Sequence, residues 1–190
     1  MSGSSPRSMK MGPSGPPGIG PQHVAESSAF SEQAQRHREE FSKWDGVALG
    51  SNVGDRAAHL EFAATRLLGL LRSLRVSRWY ETGPVGVGWQ PLFLNAAAVG
   101  ETNLSARELL DALMALERER GRERPFAGAP RTLDLDLVLF GDQILNEPGL
   151  TVPHPRFRER RFVLEPLAEI APNLVDPVSH LTVGQLLQRL

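Results

Sequence analysis

Residues 131–140 read RTLDLDLVLF, and this run constrains the fold more than any other part of the chain. Apolar and acidic residues alternate in it, which is the period of a strand with one dry face. Leu133, Leu135, Leu137 and Leu139 are expected to point together into a core. Asp134 and Asp136 then share the opposite face, about 6.5–7 Å apart along the strand. Aspartate is a poor strand former, and two on one face repel unless something offsets their charge. Two readings are open: a solvated face with two exposed acids, or a Mg²⁺ site. Mg²⁺ takes one or two carboxylates and completes its octahedron with water and phosphate oxygens.

The rest of the pattern supplies partners for that strand. Gly, Pro and Ser dominate positions 2–21, and residues 26–43 are polar with a marginal helix at most. Residues 1–43 are therefore expected to be a disordered N-terminal extension, and residues 44–190 the compact domain. Residues 46–51 read as a short buried strand, and Asp55 as the cap of a helix carrying Leu60, Ala63, Leu67 and Leu71. Residues 74–81 and 92–100 read as strands separated by a Gly- and Pro-rich loop. Ser105 with Glu108 has the spacing of a capping box, opening a helix striped by Leu109, Leu110, Leu113 and Leu116 and ended by Gly121. The order, closed by residues 132–140, is β-α-β-β-α-β. That is a ferredoxin-like α/β (α+β) sandwich, with an added C-terminal hairpin, a helix over residues 161–170 and a short terminal helix.

Charge locates the chemistry. Lys10 and Lys43 are the only lysines among 21 basic residues, and the net charge is −1. Codon bias accounts for a preference for arginine but not for its clustering. Arg118, Arg120, Arg122, Arg124 and Arg131 precede the acidic pair; Arg156, Arg158, Arg160 and Arg161 follow it, beside His154. Arg118 and Arg120 fit the exposed side of a helix. Arg122, Arg124 and Arg131 fall in or beside a loop, where planar guanidinium forks suit phosphate oxygens. Basic flanks around an acidic centre describe a metal–polyphosphate site. The segment Gly50-Ser51-Asn52-Val53-Gly54-Asp55 lacks the lysine of a phosphate loop and reads as a strand-to-helix turn. The absence of cysteine excludes disulfides and thiolate metal sites. No apolar run is long enough for a membrane span, and no net basic field recruits nucleic acid. A soluble, cytoplasmic, monomeric protein that binds neither nucleic acid nor membrane is expected.

Four ordered blocks carry a resemblance: LGSNVGDR at 49–56, FLNAA at 93–97, APRTLDLDLVLFG at 129–141 and VPHPRFRERRFVLEPLAEIAP at 152–172. With them the chain resembles the 6-hydroxymethyl-7,8-dihydropterin pyrophosphokinases of folate biosynthesis, over residues 46–190. The resemblance implies a ferredoxin-like fold and transfer of a pyrophosphoryl group from ATP to the pterin hydroxymethyl oxygen, with two Mg²⁺ ions and release of AMP. It implies that Asp134 and Asp136 bind metal and, with Arg122 and Arg131, serve catalysis. It further implies that Leu110, Met114, Glu117, Arg122, Arg124, Arg131, His154 and Arg160 hold or surround ATP. Thr82, Gly83, Pro84, Val85, Phe93, Asn95 and Phe162 match the pterin pocket. The loop before Arg131 departs from the family pattern: it is one residue shorter, with Phe126, Ala127 and Gly128 where a Trp-Gly pair is usual. Gly83 also replaces a common proline.

Two other classes predict different residues. A ferredoxin-like nucleic-acid module would place aromatics and basic groups on the open sheet face, where this chain has Asp134 and Asp136. An inactive structural relative would have lost the acidic pair or its arginines.

Overall fold

The protein is described by a computed structural model covering residues 43–85, 90–123 and 129–190. The expectations for residues 1–42, for Trp89 and for the 124–128 segment, Arg124 included, fall outside the described residues.

Strand β1 (Asp45–Ser51) leads into helix α1 (Arg56–Leu67), and Asp55 caps that helix by accepting from the Ala58 amide at 3.0 Å. Strands β2 (Arg72–Val76), β3 (Tyr80–Thr82) and β4 (Phe93–Glu101) follow. Helix α2 (Ala106–Glu119) opens with the expected Ser105–Glu108 capping box. Strand β5 (Asp134–Phe140), the β6–β7 hairpin (Leu145–Glu147, Leu150–Val152), a 3₁₀ turn (Phe157–Glu159) and helices α3 (Arg161–Ile170) and α4 (Val183–Gln188) complete the chain. The antiparallel sheet runs β2-β4-β1-β5, with β3 beside β4. Its order is that of the expected ferredoxin-like sandwich.

Both sheet faces are covered, unequally. One face, with Val47, Leu49, Leu135 and Leu137, packs on α1 and α2 through Leu60, Ala63, Leu67, Leu109 and Leu113. The other carries Ala48, Ala97, Val99, Val138 and Leu139, which pack under α3 and α4 through Val163, Leu164, Leu167, Val183 and Leu186. These C-terminal helices cover only part of their face. The end left open, where β1 finishes and β4 and β5 begin, holds the cavity described below.

Two expectations are corrected. Leu139 does not join the other leucines: β1–β5 pairing skips Val138, so Leu137 faces Val47 and Leu139 faces Gly46. A one-residue bulge moves the following side chain to the opposite face, and Leu139 packs in the α3–α4 core. The strand expected over residues 74–81 is also broken. At Ser77 the hydroxyl, accepting from the Ala97 amide at 2.9 Å, takes a place that a backbone carbonyl would hold in a regular ladder. Residues 77–79 leave the strand, and Trp79 lies at the surface.

Candidate active site

The site rests on one row of the sheet. Asn95 on β4 and Asp134 on β5 both pair with Gly50 on β1, so the three residues cross adjacent strands side by side. A Cβ added at Gly50 would lie 3.3 Å from Asn95 Oδ1 and 3.9 Å from the Asp134 Cβ. Glycine therefore keeps the floor low between an amide and a carboxylate. Asp136, two residues along β5, faces the same way, as strand alternation requires. Above this floor opens a cavity of about 510 Å³. Thr82, Gly83, Val85 and Phe93 line it from the β3–β4 side, and Arg131, Asp134 and Asp136 from β5 and its approach. Arg156, Glu159, Arg160 and Phe162 line it from the 3₁₀ turn and the start of α3.

Asp134 is gripped by two arginines. Arg122 donates to its Oδ1 and Arg131 to its Oδ2, the latter at 2.5 Å. Arg122 also donates to Glu117, a buried carboxylate that accepts from the Leu135 amide at 2.7 Å. Glu117 thus ties the end of α2 to β5 behind the cavity wall. The Nε atoms of Arg122 and Arg131 are buried and meet no acceptor among the described residues. Arg131 is fixed through its backbone as well: its amide donates to Asn52 Oδ1 at 2.8 Å, and its carbonyl accepts from the Asn52 amide at 3.1 Å. The Asn52 side chain donates onward to Gln90 Oε1 at 3.0 Å, which joins this segment to the β3–β4 loop.

Asp136 is less well matched. Arg160 Nη1 stands 3.7 Å from its Oδ2. Burial raises its pKa above the usual carboxylate value, and the Asp134 charge raises it further, against His154, Arg160 and Arg122. His154 is pushed below the usual imidazole value, first by burial and then by Arg160, with Asp136 opposing. A carboxylate whose ionised form is disfavoured by its neighbour is one that a cation stabilises. Among the described residues no cluster of three or more His, Cys, Asp or Glu could hold a metal alone. Two carboxylates are nonetheless the protein share that Mg²⁺ takes where phosphate and water complete its shell, and the guanidinium groups of Arg131 and Arg160, which line the cavity beside them, are donors suited to phosphate.

The same cavity offers surfaces for a flat polar ring. Asn95 is buried and donates through Nδ2 to the Thr82 hydroxyl at 2.7 Å, which fixes its amide at the floor. Arg131 lies over the Phe93 ring and Arg160 over the Phe162 ring, each 5.6 Å from the centroid. The two aromatics and the two cations thus belong to one surface.

The fold gathers Thr82, Gly83, Val85, Phe93, Asn95, Arg131, Asp134, Asp136, Arg160 and Phe162 around the cavity. Glu117, Arg122 and His154 do not line it; the first two stand behind Asp134, and His154 acts on Asp136 through charge. Pro84, Leu110 and Met114 do not line it either, and Leu110 packs against the α1–α2 core. Gly50 and Glu159 line the cavity without having been assigned to it from the sequence, and Arg156, read there only as part of the basic flank of the acidic pair, joins them. For Gly50 the signal was available, since it stands two residues past Ala48 on a strand. The 3₁₀ turn that brings in Arg156 and Glu159 has no periodicity to read.

The family model described as 7,8-dihydro-6-hydroxymethylpterin-pyrophosphokinase (HPPK) matches residues 46–172. The chain is 47% identical over 133 residues to the 2-amino-4-hydroxy-6-hydroxymethyldihydropteridine pyrophosphokinase of Pseudomonas aeruginosa, covering 69% of this chain and 82% of that protein. It is 42% identical over 146 residues to the protein of the same description from Synechocystis, covering 75% and 74%. Among solved structures it is similar in fold to wild-type Plasmodium falciparum HPPK-DHPS, with a TM-score of 0.62 at 14% identity. That match covers 77% of this chain and 44% of the other, so the chain spans less than half the length of that structure.

Proposed function

The chain belongs to the 7,8-dihydro-6-hydroxymethylpterin-pyrophosphokinase family, and from that premise we propose that it transfers a pyrophosphoryl group from ATP to the hydroxymethyl oxygen of 6-hydroxymethyl-7,8-dihydropterin. The products are the pterin diphosphate and AMP, and the step serves folate biosynthesis. The observation that carries this reading is a single cavity lined by Asp134, Asp136, Arg131 and Arg160 together with Asn95, Phe93 and Phe162, with Arg122 balancing Asp134 from behind.

In this reading Asp134 and Asp136 would hold the two Mg²⁺ ions, and the metal would supply positive charge to offset that on the phosphate oxygens. Arg131, which lines the cavity, turns guanidinium donors to phosphate oxygens, and Arg122 balances Asp134 from behind the wall. Glu117 holds Arg122 in place and the Asn52 contacts hold Arg131, so both donors are pre-positioned and reorganise little during transfer. Arg160 clamps the same chain from the α3 side. Asn95 reads the edge of the pterin, with Thr82 orienting its amide, and Phe93 and Phe162 stack on the ring. Held this way, the hydroxymethyl oxygen is aimed at the phosphorus, and orientation replaces a chance encounter.

A monomer is taken as the working unit. No helix among the described residues is long and apolar enough to cross a membrane, and a cytoplasmic location fits the substrates. The test is incubation with ATP, Mg²⁺ and the hydroxymethyl pterin, followed by nucleotide analysis. AMP in equal amount to the pterin diphosphate is expected; ADP, or no turnover, overturns the reading.

A further inference from the structure

Arg156 lines the cavity and, unlike Arg131 and Arg160, has no ion-pair partner among the described residues. Arg131 is paired with Asp134, and Arg160 stands near Asp136. Arg156 makes no ion pair with a described carboxylate, and Glu159, which lines the same wall three residues on, does not neutralise it. Arg160 lines the same wall four residues further along the chain. Two neighbouring guanidinium groups thus line one cavity wall, and of the two only Arg160 has an ion-pair partner among the described residues, Asp136 at 3.7 Å. An anion seated between them would take hydrogen bonds from both guanidinium forks.

The turn that presents Arg156 is anchored from behind. Arg158 does not line the cavity; its Nε and Nη2 each donate to the fully buried Asp176 at 2.6 Å. Asp176 also accepts from the Val178 and Ser179 amides and the Ser179 hydroxyl. The Arg156 amide donates to His154 Nδ1 at 3.2 Å, which fixes the entry to the turn. Asp176 lies beyond the family-matched residues 46–172.

We propose that Arg156 is a further phosphate-binding residue of this cavity, taking the polyphosphate chain of ATP beside Arg160, on a turn positioned by the Arg158–Asp176 pair. The inference rests on the ATP-binding reading above. The test is calorimetric titration of the full chain with a non-hydrolysable ATP analogue and Mg²⁺, and separately with the pterin. Arg156→Gln is expected to weaken the analogue about tenfold, the scale of one charged hydrogen-bonding partner. Pterin affinity should stay within twofold and the melting temperature unchanged, because the side chain is exposed. Arg156→Lys should recover part of the loss. Unchanged analogue affinity in Arg156→Gln, or equal weakening of the pterin, overturns the inference while leaving the ATP reading intact. A wild-type protein that binds no analogue overturns that reading and this inference with it.

Discussion

Replacing each acid of the β5 pair by asparagine is expected to give two different proteins. Asp134 is the shared counter-ion of Arg122 and Arg131, whose side chains are 9% and 22% exposed. Asp134→Asn keeps the shape but leaves two largely buried guanidinium groups facing a neutral amide. Breaking a fully buried pair from one side costs roughly 3–5 kcal/mol; partial exposure here reduces that to about 1–3 kcal/mol. Asp136 has Arg160 only at 3.7 Å, and both burial and Asp134 disfavour its charge. Asp136→Asn should therefore leave the ligand-free protein at wild-type stability or slightly above it. Turnover should respond alike in both, falling on the order of 10²-fold or more, as for the loss of a pre-positioned charge at a reacting phosphate. Urea unfolding without ligands gives the first pair of numbers, and AMP release at saturating Mg²⁺ the second. Equal stability changes in the two variants would refute the charge assignment on β5. Near-normal turnover in both would refute the metal assignment.

Other expectations are independent of that pair. Asn95→Ala should weaken the pterin by roughly 1–3 kcal/mol, the cost of an unpaired buried partner, while ATP-analogue binding holds; calorimetry with each ligand separates the two. Gly50→Ala should keep or slightly raise the melting temperature, since alanine suits a strand better than glycine by about 0.5–1 kcal/mol, yet raise KM for the pterin, because the new methyl group would stand 3.3 Å from Asn95 Oδ1; an unchanged KM would remove Gly50 from the floor. Burial holds the Asp45 carboxyl up to about 7, against amide donors from Thr102 and Gly141. The folded state then binds the extra proton, so its contribution is full below about pH 4 and is lost as pH rises through 7, by up to about 4 kcal/mol; urea unfolding at pH 4.5 and 8 should show this slope in wild type and not in Asp45→Asn. A chain starting at Lys43 should keep kcat/KM within about tenfold, because the site residues all lie beyond it.

Much of the fold was legible because local signals and tertiary needs agreed. The Ser105–Glu108 box, the leucine stripe after it and the alternation of residues 133–137 each specify one element and one buried face. Where the signals failed, a side chain or a skipped pairing had replaced regular backbone geometry. Ser77 puts a hydroxyl into the β2–β4 ladder, and the bulge at Val138 sends Leu139 to the second core. Hydrophobicity is the same on either side of that bulge. A leucine pattern therefore could not reveal which face Leu139 would choose; only the register with β1 decides it.

The site was legible for a different reason: its residues break the rules of the elements that carry them. Two aspartates in a strand, a glycine on a buried strand and an asparagine among β4 alanines are each locally unfavourable, and all of them meet at one end of the sheet. What no residue type announces is which charge balances which. Arg122 and Arg131 converge on one carboxylate while Asp136 is left with a distant partner, and that asymmetry comes from Glu117 and Asn52 fixing the two arginines from behind. Residues that never line the cavity thus decide which of its acids is already neutralised. It follows that Glu117→Gln should act on catalysis through Arg122. It should lower kcat more than it raises either KM, because the ground-state contacts of Arg131 and Arg160 remain and what is lost is the pre-positioning of one donor. Steady-state kinetics on Glu117→Gln and Arg122→Ala, alone and combined, measure this. The double variant should be no worse than Arg122→Ala, and additive losses would show that Glu117 acts on its own account.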